Sequence, residues 1–225
     1  MPPVESLLLA LLALLSLGGS QPAATGAPNG GTGMPPATMH EEPPPGTTGG
    51  AKPGAVFVVG DSLAVGAREP LEAALPGWRV ETSAETGRHT SEGVAEITGA
   101  GSLPAVVVVS LGTNDDPGAV DTFSGYVQTI LDAVGPGGCV VWPNIVRPPY
   151  NGVSYAGYNR ALARLSVASP NLLVVDWVGM VESNPGWLAS DGVHATPAGY
   201  QARGQAIAQA VQGCAGAGGG LGLGD

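Results

Sequence analysis

Basic residues are scarce. The chain of 225 residues carries 18 acidic side chains against eight cations, for a net charge of −10. Those cations, Lys52, Arg68, Arg79, Arg88, Arg147, Arg160, Arg164 and Arg203, stand singly along the chain. Without a basic run there is no electrostatic footprint for a nucleic acid or an anionic membrane surface, so neither is expected as a standing partner. Cysteine is nearly absent as well. Cys139 and Cys214 cannot supply the four closely paired ligands of a structural zinc site. They either close one disulfide over a long loop or stay as two buried thiols. In an exported protein the disulfide is favoured, because Cys139 opens an expected strand and Cys214 ends the last expected helix. No glycine-rich phosphate loop ending in lysine is present, and Lys52 lies in a proline- and glycine-rich tract.

Long hydrophobic runs are also missing. Residues 6–17 form the one sustained apolar segment, which is too short to span a bilayer comfortably. Small residues and Gln21-Pro22-Ala23-Ala24 follow it, the length and tail of a signal-peptide core. Its front lacks Lys or Arg and contains Glu5, so a short uncleaved anchor is the alternative. Residues 1–19 are therefore read as a signal peptide or short anchor. The expected location is secreted or tethered at the cell surface, and cytoplasmic if the segment is not a working signal. Residues 20–54 are Gly, Pro, Thr and Ala with few large apolar side chains, a composition that cannot offset its own ordering entropy and reads as a disordered linker. Within it, His40, Glu41 and Glu42 read as a solvated polar patch. Residues 215–225 are glycine-rich and read as a disordered tail.

What remains, residues 55–214, has an ordinary globular composition and suits one domain with a full core, expected as a monomer. Its first stretch, Val56-Phe57-Val58-Val59-Gly60-Asp61-Ser62-Leu63, is an apolar run that stops abruptly at a glycine, a carboxylate and a hydroxyl. Such a run reads as a buried strand of a parallel sheet. A helix over residues 63–75 follows, which puts Ser62 at the C-terminal edge of the strand. Further strands are expected at 78–82, 105–110, 139–142 and 172–175. Helices are expected at 92–100, from Pro117 to about 134, at 154–168 and from Pro197 to about 212, with residues 176–190 irregular. Strands alternating with helices give an α/β fold: a central five-stranded parallel sheet covered on both faces. Right-handed crossovers then bring the C-terminal ends of all strands to one edge. Ser62, the loop holding Gly87, Asn114 and the loop holding His194 can meet there.

Acyl transfer to a hydroxyl needs a nucleophile, a base, a group that orients the base, and donors for the developing oxyanion. Ser62 supplies the hydroxyl. Of the three histidines, His194 is the best placed base, because Asp191 lies three residues before it and can hold the far ring nitrogen. The N–H groups of Ser62 and Gly87 and the side-chain amide of Asn114 can form a three-donor oxyanion hole. Together, Gly60-Asp61-Ser62-Leu63, Gly87, Gly112-Thr113-Asn114-Asp115 and Asp191-Gly192-Val193-His194 resemble the blocks of the SGNH hydrolases, the GDSL esterase/lipase family, in order and separation. The resemblance implies a flavodoxin-like three-layer α/β/α sandwich and metal-independent ester chemistry, with no cofactor. It implies Ser62 as nucleophile, Asp191 and His194 as its partners, and Ser62, Gly87 and Asn114 as oxyanion donors. The implied activities are esterase, lipase, thioesterase and carbohydrate O-acyl chemistry. The substrate expected is a small acyl ester or an acylated glycan, the glycan following from the expected export and tether. The acid is adjacent to the base in sequence, and Ala64 stands where a G-x-S-x-G elbow needs its last glycine, so the α/β-hydrolase pattern does not apply.

Several residues carry plainer readings. Ser62 alone could be a helix cap and Asn114 a turn residue; Asp61 and Asp115 are expected to stabilise turns. His89 is either a site residue or a solvent-facing loop histidine, and Arg147 and Tyr150 either line the pocket or pack at the surface. Two other functions compete. Asp61, Asp115, Asp116 and Asp191 could hold Mg²⁺ for phosphoryl transfer, and the domain could be a noncatalytic binding module on a tether. O-acyl transfer, lysophospholipase and thioesterase activity are alternatives on the same site.

Overall fold

The computed structural model describes residues 54–218. The expected signal or anchor, nearly all of the linker, and residues 219–225 of the tail lie outside the described residues. Five strands are present among the described residues: β1 (Ala55–Gly60), β2 (Arg79–Ala84), β3 (Val106–Ser110), β4 (Cys139–Pro143) and β5 (Leu172–Val175). All pair in parallel in the order β2-β1-β3-β4-β5. This is the doubly wound, flavodoxin-like order, and it reverses between β1 and β3.

The helices are α1 (Ser62–Ala74), α2 (Thr90–Gly99), α3 (Val120–Val134), α4 (Ala156–Ala168), α5 (Trp177–Ser183) and α6 (Pro197–Gly218). Alternation along the strands sorts the core into two layers. Val56, Val58, Val106, Val108 and Val141 face α1 and α6. Phe57, Val59, Val107, Val109, Val140 and Trp142 face α2, α3 and α4. The valines of β3 are buried on both faces, as expected of a central parallel strand. On the first face, α1 and α6 approach closely through two glycines. A Cβ on Gly66 would lie 2.2 Å from the Tyr200 ring, and one on Gly204 would meet the backbone of Leu71 at 2.8 Å.

Three local expectations are corrected. Residues 176–190 are not irregular: Asp176 caps α5, its carboxylate accepting from Gly179 N–H, and Pro185–Trp187 adds a 3-10 turn. Glycine, asparagine and proline within that segment hide the short helical period. Pro117 does not open α3; the Asp116 side chain accepts from Gly118 N–H and its carbonyl from Ala119 N–H, so a turn comes first. The last helix continues past 212 to Gly218, so residues 215–218 belong to it and not to the tail, despite the low helix propensity of Gly213, Gly216 and Gly218.

Cys139 and Cys214 form a disulfide, with Cα atoms 5.9 Å apart, tying the start of β4 to α6 across 75 residues. A loop of that length predicts a contribution of about 4 kcal/mol in the chain-entropy account. Reduction, or Cys139→Ala with Cys214→Ala, is expected to lower Tm by on the order of 10 °C. Thermal unfolding with and without dithiothreitol measures it, and superimposable melts would show that the bond constrains nothing.

Candidate active site

The reversal of strand order between β1 and β3 opens a crevice at their C-terminal ends, the place where open α/β sheets bind ligands. The site lies on the loops around it. β1 ends at Gly60, where a Cβ would come within 2.3 Å of Ala64 Cβ, so the chain turns into α1 with no room for a side chain. Asp61, fully buried, is the N-cap. Its Oδ1 accepts from Leu63 N–H at 2.9 Å, and its own N–H donates to Ser110 O at 3.1 Å. That holds Ser62 at the first position of α1. The Ser62 N–H has no acceptor among the described residues and sits at the positive end of the helix dipole.

Ser62 Oγ lies 3.0 Å from His194 Nε2, across 132 residues of sequence. The other ring nitrogen, Nδ1, lies 2.7 Å from Asp191 Oδ2. A carboxylate at Nδ1 fixes the proton there and leaves Nε2 as acceptor for the serine hydroxyl. Asp191 Oδ1 accepts from the N–H groups of Val193 and His194 at 2.9 and 3.0 Å. Its bond to the imidazole first, and then these two N–H groups, lower the Asp191 carboxyl to about 2, so it stays charged. The loop carrying both residues is fastened at its base. Leu188 bridges to Ala195, Ala189 N–H donates to His194 O, and Thr196 N–H donates to Trp187 O.

Asn114 follows β3. Its Nδ2 donates to Asp61 Oδ2 at 3.4 Å and to Arg88 O at 3.2 Å, while its Oδ1 accepts from Arg147 at 3.4 Å. The amide is thus oriented beside the Ser62 turn by two long bonds, and donating to a substrate oxygen requires one of them to yield. The segment around it is clamped from below. Trp142 donates to Leu111 O, Tyr155 to Thr113 O and Asp115 O, and Tyr158 to Asp116 O at 2.6 Å. Gly87, after β2, has φ +83, a left-handed conformation that glycine adopts freely. Its N–H also has no acceptor among the described residues.

Other sequence expectations resolve here. Asp61 and Asp115 both serve turns: Asp115 accepts from Thr90 N–H and hydroxyl at the start of α2. His89 is mostly exposed, with Nδ1 on Asp115 Oδ1 at 2.9 Å. Asp116 binds Gly118 N–H. Among the described residues no three His, Cys, Asp or Glu side chains converge in a metal-binding group. Arg147 is more than surface packing, since it reaches Thr113 O and Asn114 Oδ1. Tyr150 stands half exposed at the tip of a small turn closed by its pairing with Val153. The neighbouring Pro148 packs against Gly192 of the histidine loop. Two residues have no site role in the sequence reading. Arg203 is buried beneath the site, and Tyr155 braces the Asn114 segment; neither lies in a recognisable motif.

Solved structures share this fold. The C-terminal catalytic domain of peptidoglycan O-acetyltransferase A from Streptococcus pneumoniae, with a methylsulfonyl adduct, superposes with a TM-score of 0.57 at 21% identity, over 74% of this chain and 95% of that one. A GDSL-like lipase from Bacteroides thetaiotaomicron gives 0.55 at 16% identity, over 71% and 88%. An acetyl esterase mutant holding an acetate ion gives 0.55 at 17% identity, over 72% and 98%. No curated protein sequence matches significantly. The model of the GDSL-like lipase/acylhydrolase family matches residues 58–202, a span that begins in β1 and takes in Ser62, Gly87, Asn114, Asp191 and His194, and the chain belongs to that family.

Proposed function

We propose that the protein is a serine esterase that hydrolyses small acyl esters, O-acetyl groups on an extracellular glycan among them, through Ser62, His194 and Asp191. The observation that carries this reading is the 3.0 Å approach of Ser62 Oγ to His194 Nε2, with Asp191 behind the ring. In the first step Ser62 Oγ bonds to the ester carbonyl carbon while His194 Nε2 takes its proton. Negative charge grows on the carbonyl oxygen, where the N–H groups of Ser62 and Gly87 and the amide of Asn114 receive it. Collapse breaks the bond to the alcohol, which leaves with the proton from Nε2, and an acyl-serine remains. Water then repeats the sequence and releases the acid.

A base and its acid partner open to solvent leave room for an ester on a bulky alcohol. The side chains of His194 and Asp191 are 44% and 50% exposed. Two cavities of about 540 and 870 Å³ lie elsewhere, around the loop before β3 and the flank of β2, and neither is lined by Ser62, Gly87, Asn114 or His194. The names of two structural neighbours, an O-acetyltransferase and an acetyl esterase, agree with acetyl as the group handled. Export is part of the proposal, since a disulfide such as Cys139–Cys214 persists in oxidising compartments.

Turnover of a chromogenic acetate ester is expected to be unaffected by EDTA and abolished in Ser62→Ala. His194→Ala is expected to lower kcat by several orders of magnitude. Retained turnover in either variant, or loss with EDTA, removes the proposed mechanism. Asn114→Ala is expected to cost about 10²–10³-fold in kcat, the loss of one oxyanion donor, and a rate near wild type would take Asn114 out of the oxyanion set. A series of esters from acetate to palmitate, with and without a glycan acceptor, tests the substrate: kcat/KM falling with chain length supports it, and products acylated on the sugar would make the protein a transferase.

A further inference from the structure

Among the described residues, two charged side chains are taken wholly out of solvent, Asp61 and Arg203, at 0% and 2% exposure. Both residues bond to Ser110, the last residue of β3, Asp61 through its backbone and Arg203 through its guanidinium. Asp61 N–H donates to Ser110 O at 3.1 Å, and Arg203 Nη2 donates to Ser110 Oγ at 3.0 Å. The guanidinium rests on the Trp177 ring, 5.2 Å from its centroid, and its Nε and Nη1 have no hydrogen-bond partner. Such a group gains little from local bonding. Burying an arginine with two donors unsatisfied is costly, and a nearby opposite charge is what can offset it.

Asp61 needs that charge. Both of its oxygens receive donors, Leu63 N–H on Oδ1 and Asn114 Nδ2 on Oδ2. A donor on each oxygen favours the charged form of the carboxyl. Burial pushes the Asp61 carboxyl up, and the bond to Leu63 and the charge of Arg203 pull against it. Burial likewise lowers Arg203, to about 10, with Asp61 opposing. Tyr200, also on α6, is a further titratable group near Asp61, whose negative charge disfavours ionisation of the phenol.

We propose that Arg203 is a positioning residue: its buried charge keeps Asp61 a carboxylate, and that carboxylate, through Leu63 N–H and the Asn114 amide, sets the nucleophile turn and one oxyanion donor in register. The proposal rests on Ser62 as nucleophile. It assigns Arg203 no contact with substrate.

Arg203→Met removes the charge and keeps an apolar stem. In the wild type, the acid limb of log kcat against pH is expected to follow one proton. In Arg203→Met, Asp61 takes up a proton as the pH falls, so the limb steepens towards two protons and kcat drops about tenfold or more at pH 6 with KM little changed. Arg203→Lys is expected to keep the wild-type profile. In the double variant Asp61→Asn, Arg203→Met the second proton disappears, because no carboxyl remains to take it. An infrared carboxyl band present in Arg203→Met and absent from the double variant reads the same event without catalysis, so it stands even if Ser62→Ala shows that the esterase reading is wrong. A one-proton limb and no carboxyl band in Arg203→Met would falsify the proposal. If Arg203→Met does not fold, recovery of folding in the double variant supports the charge pairing, and failure of both shows that Arg203 serves packing alone.

Discussion

Five parallel strands joined by right-handed crossovers leave no freedom about where their C-terminal ends lie. All emerge at one edge, and every polar loop of consequence here emerges with them: Ser62 after β1, Gly87 after β2, Asn114 after β3 and Arg147 after β4. The loop before α6 brings His194 to the same edge, where it reaches Ser62 across 132 residues. The polarity of the sheet gathers the site, and the apolar alternation beneath it, two layers sorted by the pleat, holds the sheet still enough for a 3.0 Å contact to persist.

The same edge concentrates backbone groups that need partners. Helix starts leave N–H groups unbonded, and the structure allots carboxylates to them one by one: Asp61 to α1, Asp115 to α2, Asp176 to α5 and Asp191 to the histidine loop. These acids answer donors individually, which is why four aspartates near strand ends do not assemble a metal site among the described residues. Ser62 N–H and Gly87 N–H, without acceptors among the described residues, are the backbone donors that the proposed mechanism assigns to developing negative charge.

Electrostatics below the site are of a different kind. At the surface Asp191 is held low by its bond to an imidazole and two amides. In the interior Asp61 and Arg203 occupy a buried space in which two nitrogens of the guanidinium have no partner, so long-range charge matters more than contact. Aromatic side chains build the walls of that space and of the Asn114 clamp. Trp177 lies under Arg203, and Trp142, Tyr155 and Tyr158 hold the carbonyls of the segment 111–116. With only two phenylalanines in the chain, the larger aromatics serve both as core and as donors to backbone.

Much of this could be read before any coordinates. Valine runs ending in Gly60-Asp61-Ser62 and Gly112-Thr113-Asn114 announce parallel strands with polar ends, because periodicity and composition are local properties. The spacing of Asp191 and His194 puts a carboxylate on an imidazole within one turn, which is local as well. What the order of residues left open was set by packing. A short helix at Trp177–Ser183 and the late start of α3 depend on single capping bonds that composition does not weigh. The disulfide remained one of two options until β4 and α6 were brought within 5.9 Å. Arg203 belongs to no pattern, since a buried charge becomes meaningful only when the fold shows which opposite charge shares its low-dielectric surroundings, and that neighbour, Asp61, lies 142 residues earlier in the chain.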